Sequence, residues 1–341
     1  MRAMTSKEIG FFNIPQVMEG FQRFAAGFQG EPDRVPLMAQ SNDHTTFLLG
    51  LNCRDFYTNP VTFVKGQVII AEYYGLDLIP NSYDCYNIEA EALGQRLIYT
   101  DHAMPDVDTD QPLLDEKRLL DRLAPTIPGK SGRMPYVLGI YRTLREITGL
   151  PFPPIFCAPF SLAVALRGYR NLVRDLRRDP AFVHQLFEFL TDQVLIPWIQ
   201  VIQKEVPEAP YLLGADAWSA PPIIDLRIQK ELIVPYAQRL QEKVNGTFVL
   251  QGWGFSAFAE PERFLETLLQ MKIPYIFGMD PDPEQLGPEL FKTWSVKYNL
   301  PLCLGIHSDL LRDGPIEAIV ERVREYAKVG APGGRFFFFL N

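Results

Sequence analysis

Polar residues that could carry acid–base chemistry or bind a metal follow many of the short apolar runs in this 341-residue chain. They are Gln40, Asp43 and His44, then Asp84 and Asn87, then Asp216, Trp218 and Ser219, then Gln251 and Trp253, and finally His307. Histidines and carboxylates suit general acid–base catalysis or a metal site. Each residue could equally be a helix cap or a turn former. No HxH, HxxxH or HxC spacing occurs, so the metal signal is weak.

Aromatic side chains near the same strand ends could form the walls of an apolar pocket. They are Tyr83, Tyr86, Trp218, Trp253 and Phe255. Packing beneath loops is the alternative for each of them. Asp280 and Asp282 lie in a DPDP segment, where a turn role is favoured over catalysis.

The elements that would position these residues alternate between strands and helices. Apolar runs at 34–40, 77–84 and 152–160 predict strands, as do the first halves of 211–222, 247–254, 274–283 and 301–311, and a last strand covers 335–341. Amphipathic helical segments follow most of them; one spans 59–75, with Asn59 as its N-cap. This alternation predicts an α/β fold of the (β/α)8 TIM barrel class, with a parallel closed sheet and the site at the strands' carboxyl ends.

Two additions to the barrel are expected: an N-terminal helical extension and a hairpin-like insertion after strand two. The whole chain, 1–341, is predicted to be a single domain. No closing helix follows the eighth strand, which leaves truncation at the C-terminus open.

Composition narrows the function classes. The chain has 33 Lys+Arg and 41 Asp+Glu, a formal net charge of −8, so nucleic-acid binding is not expected. The longest apolar stretch, 194–202, is far shorter than the roughly 20 residues of a membrane span. Four scattered cysteines without a CxxC pair argue against a disulfide framework. We expect a soluble cytoplasmic protein.

Five segments, in order, resemble the uroporphyrinogen decarboxylase superfamily. They are EPDRVPLMAQ (31–40), YDCYNIEAEALGQ (83–95), FCAPFSLAVALRG (156–168), GADAWSAPPIIDLRIQKELIVPYAQRL (214–240) and LGIHSDLL (304–311). The EAEALG part is most similar to the cobamide-dependent methyltransferase branch. The resemblance covers about residues 20–340 and implies a (β/α)8 barrel. It also matches Asp84 to the site aspartate of the decarboxylases.

The departures from the family pattern limit what the resemblance implies. The decarboxylases carry R-Q-A-G-R after strand one, whereas MAQSNDH (38–44) has no arginine, so decarboxylation of a porphyrinogen is disfavoured. The methyltransferases bind zinc through H-x-C and a later cysteine. Here Gln251-Gly252-Trp253 stands at H-x-C, and the third ligand would lie at or beyond Asn341. A zinc site of that type is not expected, and metal content is otherwise unknown.

The leading hypothesis is a corrinoid-linked methyltransferase of a small organic substrate, with the corrinoid (cobalamin) free or carried on a small corrinoid protein. Asp84 would stabilise positive charge or move a proton, and His44 and His307 would act as acid–base groups or alternative metal ligands. Substrate-binding candidates are Gln40, Asn87, Asp216, Ser219 and Gln251, with Trp218 and Trp253 as walls. The alternatives are a cofactor-independent decarboxylase and a non-catalytic ligand-binding barrel. Because dimers are common in the superfamily, a homodimer is a further possibility.

Overall fold

The computed structural model describes residues 15–30, 32–222, 224–251 and 253–340. Its strands are β1 (Leu37–Ala39), β2 (Leu97–Ile98), β3 (Asp106–Val107), β4 (Ile155–Cys157), β5 (Leu212–Ala215), β6 (Thr247–Leu250), β7 (Ile276–Met279), β8 (Leu302–Ile306) and β9 (Phe336–Leu340).

The helices lie mostly between these strands, as the alternating pattern predicts. They are α1 (Pro15–Gln29), α2 (Asn42–Leu49), α3 (Cys53–Phe56), α4 (Pro60–Tyr74), α5 (Ile88–Ala92), α6 (Met134–Thr148), α7 (Pro159–Arg167), α8 (Tyr169–Arg178), α9 (Pro180–Glu188), α10 (Ile196–Glu205), α11 (Leu226–Ile228), α12 (Val234–Lys243), α13 (Pro261–Leu269), α14 (Asp282–Leu286), α15 (Pro288–Tyr298), α16 (Ser308–Asp313) and α17 (Ile316–Gly330). Short π-helical segments at Phe189–Leu195 and Gln229–Ile233 join α9 to α10 and α11 to α12.

The main strands form two parallel arcs. One has the order β4-β5-β6 and the other β7-β8-β9-β1. In the second arc Leu302 pairs with Phe336, and Leu37 pairs with Phe338, which brings the first strand beside the last. Parallel strands joined by helices match the predicted fold class.

The predicted second barrel strand, 77–84, forms no ladder in the structure, which corrects the sequence prediction. The Asp77 N–H donates to the Leu37 carbonyl at 2.9 Å, and the Asn81 amide donates to the Pro153 carbonyl at 2.9 Å. Pro80 in the middle of the segment has no N–H to donate to a ladder. The segment therefore bridges β1 and the start of β4 through isolated hydrogen bonds.

Local signals place other elements as expected. The Asn59 side chain accepts hydrogen bonds from the Val61 and Thr62 N–H groups and begins α4, and Gly75 in the left-handed region ends it. β2 and β3 pair antiparallel, which confirms the hairpin-like insertion.

The four cysteines are free and buried. No helix of the described residues is long and apolar enough to cross a membrane.

The N-terminal helix α1 is tied to the start of the 77–84 segment by the Asp77 carboxylate. Arg23 Nη1 lies 2.6 Å and Arg34 Nη1 lies 2.7 Å from its oxygens, and the Leu37 N–H donates to it at 2.7 Å. A Cβ added at Gly20 would lie 2.6 Å from the Asp77 carbonyl oxygen, so the helix approaches closely. This contact positions Phe24 of α1 against the interior.

Alternation along β9 separates an outer from an inner core. Phe336 and Phe338 pack in the large cluster of strand and helix residues. Phe337 packs instead with Phe24, Tyr275 and Cys303 in a smaller cluster. Successive side chains of a strand point to opposite faces, so the smaller cluster marks the inner face of the sheet.

Candidate functional site

A cavity of about 410 Å³ occupies the space enclosed by the inner faces of the strands. Seven strands each contribute a lining side chain: Met38, Ile155, Leu213, Leu250, Phe277, Cys303 and Phe339. The volume lies in the range of small-molecule sites, and the wall is mainly apolar and aromatic. Side chains far apart in the sequence therefore converge on a common cavity, as the barrel prediction requires.

Polar groups gather where the cavity meets the carboxyl ends of the strands. Gln40, Asp84 and Trp253, all predicted site residues, line the cavity here. Asn42 lines it too, with a φ of 25° and a buried Oδ1 that has no hydrogen-bond partner. Asparagine tolerates this backbone region better than most residues. Its orphaned oxygen is a ready acceptor for a bound molecule.

Asp84 is buried and bound to Arg133, a residue that the sequence did not single out. Arg133 Nη1 lies 3.0 Å from Oδ1, and Arg133 Nη2 lies 2.6 Å from Oδ2. The Asn87 amide donates to Oδ2 at 3.1 Å, and Arg133 Nε reaches Glu91 at 2.7 Å. Burial raises the pKa of Asp84, and the Arg133 guanidinium acts in the opposite direction. Two carboxylates share one guanidinium in this cluster.

At the opposite end of the cavity lie residues that precede or begin strands. Tyr211 and Tyr275 come directly before β5 and β7, and Cys303 is the second residue of β8. Burial raises the pKa of Tyr275 and of the Cys303 thiol well above their ordinary values, so both are neutral near pH 7. The cavity thus runs from the polar rim to an inner end that holds two phenols and a thiol.

A second cavity, of about 510 Å³, adjoins the first, and Tyr86 lines both. Asn87 and Trp218, two predicted substrate-binding residues, line it together with Asp106 of the hairpin and Arg170 of α8. Trp218 is 49% exposed and its ring packs on Tyr169, with centroids 5.1 Å apart. This cavity is more polar and opens beside the rim of the first.

Asp216, Ser219 and Gln251 form a buried network outside the lining of either cavity. Asp216 Oδ1 accepts from the Ser161 N–H and hydroxyl, both at 2.8 Å, and the Ser219 hydroxyl donates to the Asp216 carbonyl at 2.7 Å. The Gln251 amide donates to Ser219. Burial raises the pKa of Asp216 to about 6. The network joins the loops after β5 and β6 to the N-terminus of α7.

His44 and His307 do not meet Asp84 in the cavity. His44 is exposed on α2 and shares a hydrogen bond of 2.8 Å with the Tyr74 hydroxyl. The His307 ring caps α16 by accepting from the Asp309 N–H at 3.2 Å. Each residue follows its strand as predicted, but neither is among the described residues that line the two cavities.

Similarity to known proteins decides the family. A family model described as uroporphyrinogen decarboxylase (URO-D) matches residues 19–338. The chain belongs to the uroporphyrinogen decarboxylase family. This confirms the resemblance drawn from the five sequence segments.

Two similar proteins carry methyltransferase names. A methylated-thiol–coenzyme M methyltransferase of Methanosarcina mazei is 27% identical over 188 residues, which are 54% of this chain and 49% of that protein. The chain therefore spans about half the length of this curated relative. A solved structure, a methyltransferase from Methanosarcina mazei, matches with a TM-score of 0.73 at 18% identity, over 94% of this chain and 92% of that one. The structural match shows a common fold, of α/β class with parallel strands.

The position that carries H-x-C in the zinc-binding members of the URO-D family has no metal-binding character in this chain. Gln251 Nε2 donates to Ser219, while its Oε1 is buried without a partner, and Trp253 lines the cavity. Among the described residues no group of three or more His, Cys, Asp or Glu side chains could hold a metal ion. Gln251 and Trp253 do not supply the His and Cys ligands of a zinc site of that type.

Asp282, which lies in the DPDP segment, anchors the loop that contains Trp253. Asp282 accepts hydrogen bonds from the N–H groups of Gly254, Phe255 and Ser256, at 2.6, 3.1 and 2.8 Å. Its neighbour Asp280 binds Arg322 at 2.8 Å. The three backbone bonds to Asp282 fix the loop that follows β6, and with it the position of Trp253.

A buried acid lies behind the cavity wall in this URO-D family member. Glu89 Oε1 accepts from the Cys157 N–H at 3.2 Å and from the Trp198 indole at 3.1 Å. Its Oε2 is buried without a hydrogen-bond partner. Burial raises the pKa of Glu89 to about 8, so the group is mainly protonated at neutral pH.

Proposed function

We propose that this chain is a methyltransferase that moves a methyl group between a small organic substrate, held in the interior cavity, and a corrinoid at the rim. The observation that carries the proposal is the apolar interior cavity, lined from seven strands, that ends at Asp84 and Trp253. The methyltransferase names of the two similar proteins favour the same reaction class.

The chain's own residues supply binding, orientation and electrostatics. The aromatic lining holds the substrate and excludes water, which strengthens polar interactions inside the cavity. At the rim, Asp84 and Glu91 share Arg133, so the cluster carries an excess of one negative charge. When a methyl group enters or leaves a heteroatom, the charge of that atom changes. A fixed negative cluster favours the more positive form.

The corrinoid itself would be presented from outside the barrel. The chemistry it supplies when bound is the reversible attachment of a methyl group to cobalt. The macrocycle with its side chains is larger than either cavity. The rim between the cavities, where Tyr86 is shared and Trp218 is exposed, offers a surface on which it could rest, free or on a small corrinoid protein. That partner, and the homodimer, stay predictions.

The decarboxylase alternative is disfavoured by the lining. No Lys, Arg or His side chain lines the interior cavity in the part of the chain that the structure describes. Arg133 is committed to Asp84, Glu91 and the Tyr57 carbonyl. A carboxylate substrate would therefore lose its hydration without gaining a cation, which is costly.

The test measures methyl transfer to cobalamin from the change in its absorption spectrum. Reduced cobalamin is mixed with purified protein and a panel of methylated ethers, thioethers and amines, and formation of methylcobalamin is recorded. We expect protein-dependent methylation with at least one compound. Leu213→Trp, which fills the cavity, should abolish it, whereas Val296→Trp on the exposed face of α15 should not.

Failure of the whole panel, or equal rates in the Leu213→Trp variant, would contradict the proposal. Release of carbon dioxide from a carboxylate panel would instead favour the decarboxylase. Binding of ligands with neither reaction would favour a non-catalytic barrel.

A further inference from the structure

The inner end of the cavity carries hydrogen-bonding groups that no described residue satisfies. Tyr275 is 6% exposed, lines the cavity and makes ring contacts with Phe277 and Phe337, but its hydroxyl has no hydrogen bond to another described residue. The Tyr211 hydroxyl is likewise unpaired within the described chain. Both side chains line the cavity, so a ligand oxygen or a water that enters it can supply the hydrogen bonds that polar groups in protein interiors nearly always make.

The charge of that ligand is restricted by the lining. Asp84, held by Arg133, is the sole carboxylate among the described lining residues, and no cationic side chain accompanies it there. At the inner end no charged side chain of the described residues lines the cavity. A charged group on a ligand there, of either sign, would be buried without a counter-ion, which the protein interior penalises heavily. The aromatic wall, with ring centroids of Phe277 and Phe339 5.6 Å apart, favours a flat apolar body.

We propose that the interior cavity selects a neutral ring compound and that the Tyr211 and Tyr275 hydroxyls bind a hydroxyl, carbonyl or ether oxygen at its inner end. The proposal rests on the proposed function only in taking this cavity as the substrate site. Beyond the proposed function, it names the substrate class, a neutral aromatic or alicyclic compound. It also names Tyr211 and Tyr275 as residues that determine specificity. Both lie at the amino ends of strands, away from the rim where the methyl group would be exchanged.

The experiment measures binding directly and needs no turnover. The probes are 2-naphthol, 2-naphthoate and 2-naphthylmethylammonium, titrated by calorimetry at pH 7. We expect 2-naphthol to bind at least tenfold more tightly than either charged analogue. Tyr275→Phe and Tyr211→Phe keep the rings and remove the hydroxyls. Each should weaken 2-naphthol binding about three- to tenfold, the effect of one hydrogen bond.

The matched control is Tyr298→Phe, whose hydroxyl binds Glu262 outside the cavity; it should leave all three affinities unchanged. Unaltered 2-naphthol binding in both cavity variants, or binding of a charged analogue as tightly as the neutral one, would overturn the proposal. Leu213→Trp, which fills the cavity, should prevent 2-naphthol from binding and thereby shows that 2-naphthol binds in the cavity. If the protein prefers 2-naphthol to the charged analogues but transfers no methyl group, only the proposed function is contradicted. If it transfers a methyl group without this preference, only the present inference is contradicted.

Discussion

Asp84 and Arg133 form a two-pronged ion pair at the polar rim, with Oδ1–Nη1 at 3.0 Å and Oδ2–Nη2 at 2.6 Å. Asp84 is 2% exposed and Arg133 8% exposed. The residue that resembles a family site aspartate is therefore also half of a buried charge pair. Its chemical role and its structural role cannot be separated by a single substitution.

Asp84→Asn should lower the free energy of unfolding by about 3–5 kcal/mol, because Arg133 would remain buried with only Glu91 as a charged partner. Urea denaturation measures this. The double variant Asp84→Leu/Arg133→Met should recover most of the loss while still lacking methyl transfer. Asp313→Asn, in the exposed pair with Arg312, is the control and should change stability by less than about 0.5 kcal/mol. Equal losses in Asp84→Asn and in the control would contradict the assignment.

Glu89 should make stability depend on pH in a definite direction. Its pKa is raised from 4.5 to about 8 in the folded chain, so the folded state keeps the proton through a range where the unfolded state loses it. The contribution is complete below pH 4.5 and is lost as pH rises to about 8, on the order of 3–5 kcal/mol in all.

Glu89→Gln removes this titration but keeps an acceptor for Cys157 and Trp198. The free energy of unfolding, measured between pH 5 and 8, should fall less steeply in the variant than in the parent protein. Parallel curves would show that Glu89 does not titrate in this window.

Leu212 and Leu213 are neighbours on β5 that face opposite ways, which gives a matched pair. Leu213 lines the cavity, and Leu212 packs in the outer core. Leu213→Trp should fill empty space with little effect on melting temperature, whereas Leu212→Trp should cost about 1–3 kcal/mol through overpacking. Thermal unfolding compares the two. A larger loss for Leu213→Trp would mean that the strand orientation is wrong.

Asp282→Asn should loosen the loop after β6, since the side chain would lose charge-assisted bonds from three N–H groups. We expect a loss of about 1–3 kcal/mol and weaker 2-naphthol binding, because Trp253 would no longer be fixed. The control is Glu289→Gln, because Glu289 is an exposed acid in the first turn of α15. Unchanged binding in Asp282→Asn would separate Trp253 from this anchor.

The fold followed from patterns that are local in the sequence. Apolar runs ending in polar residues located β4 to β9, and Asn59 located the start of α4. Segment 77–84 failed as a strand because an apolar run does not reveal whether its backbone groups find a neighbouring strand, and Pro80 removes one of them.

The site was only partly predictable for a different reason. Gln40, Asp84 and Trp253 line the cavity and follow strands, where the barrel pattern directs attention. Tyr211 and Tyr275 line it too, but they come before strands, where the pattern gives no signal. Arg133 lies 49 positions from Asp84 in the sequence, and no motif around either residue indicates that the two form an ion pair. For His44, the helix that starts at Asn42 decides where the ring points.

The pairing of Leu37 with Phe338 makes one ladder depend on segments from the two extremes of the described chain. Contacts between residues so distant carry a large loop-closure entropy, which slows their formation. We expect the β4-β5-β6 arc to order early during synthesis and β1 to dock late, when β9 has been made. A chain stalled before Phe336 would expose the edge of β8 and leave Met38 without its aromatic neighbours, a state prone to association with other unfinished chains.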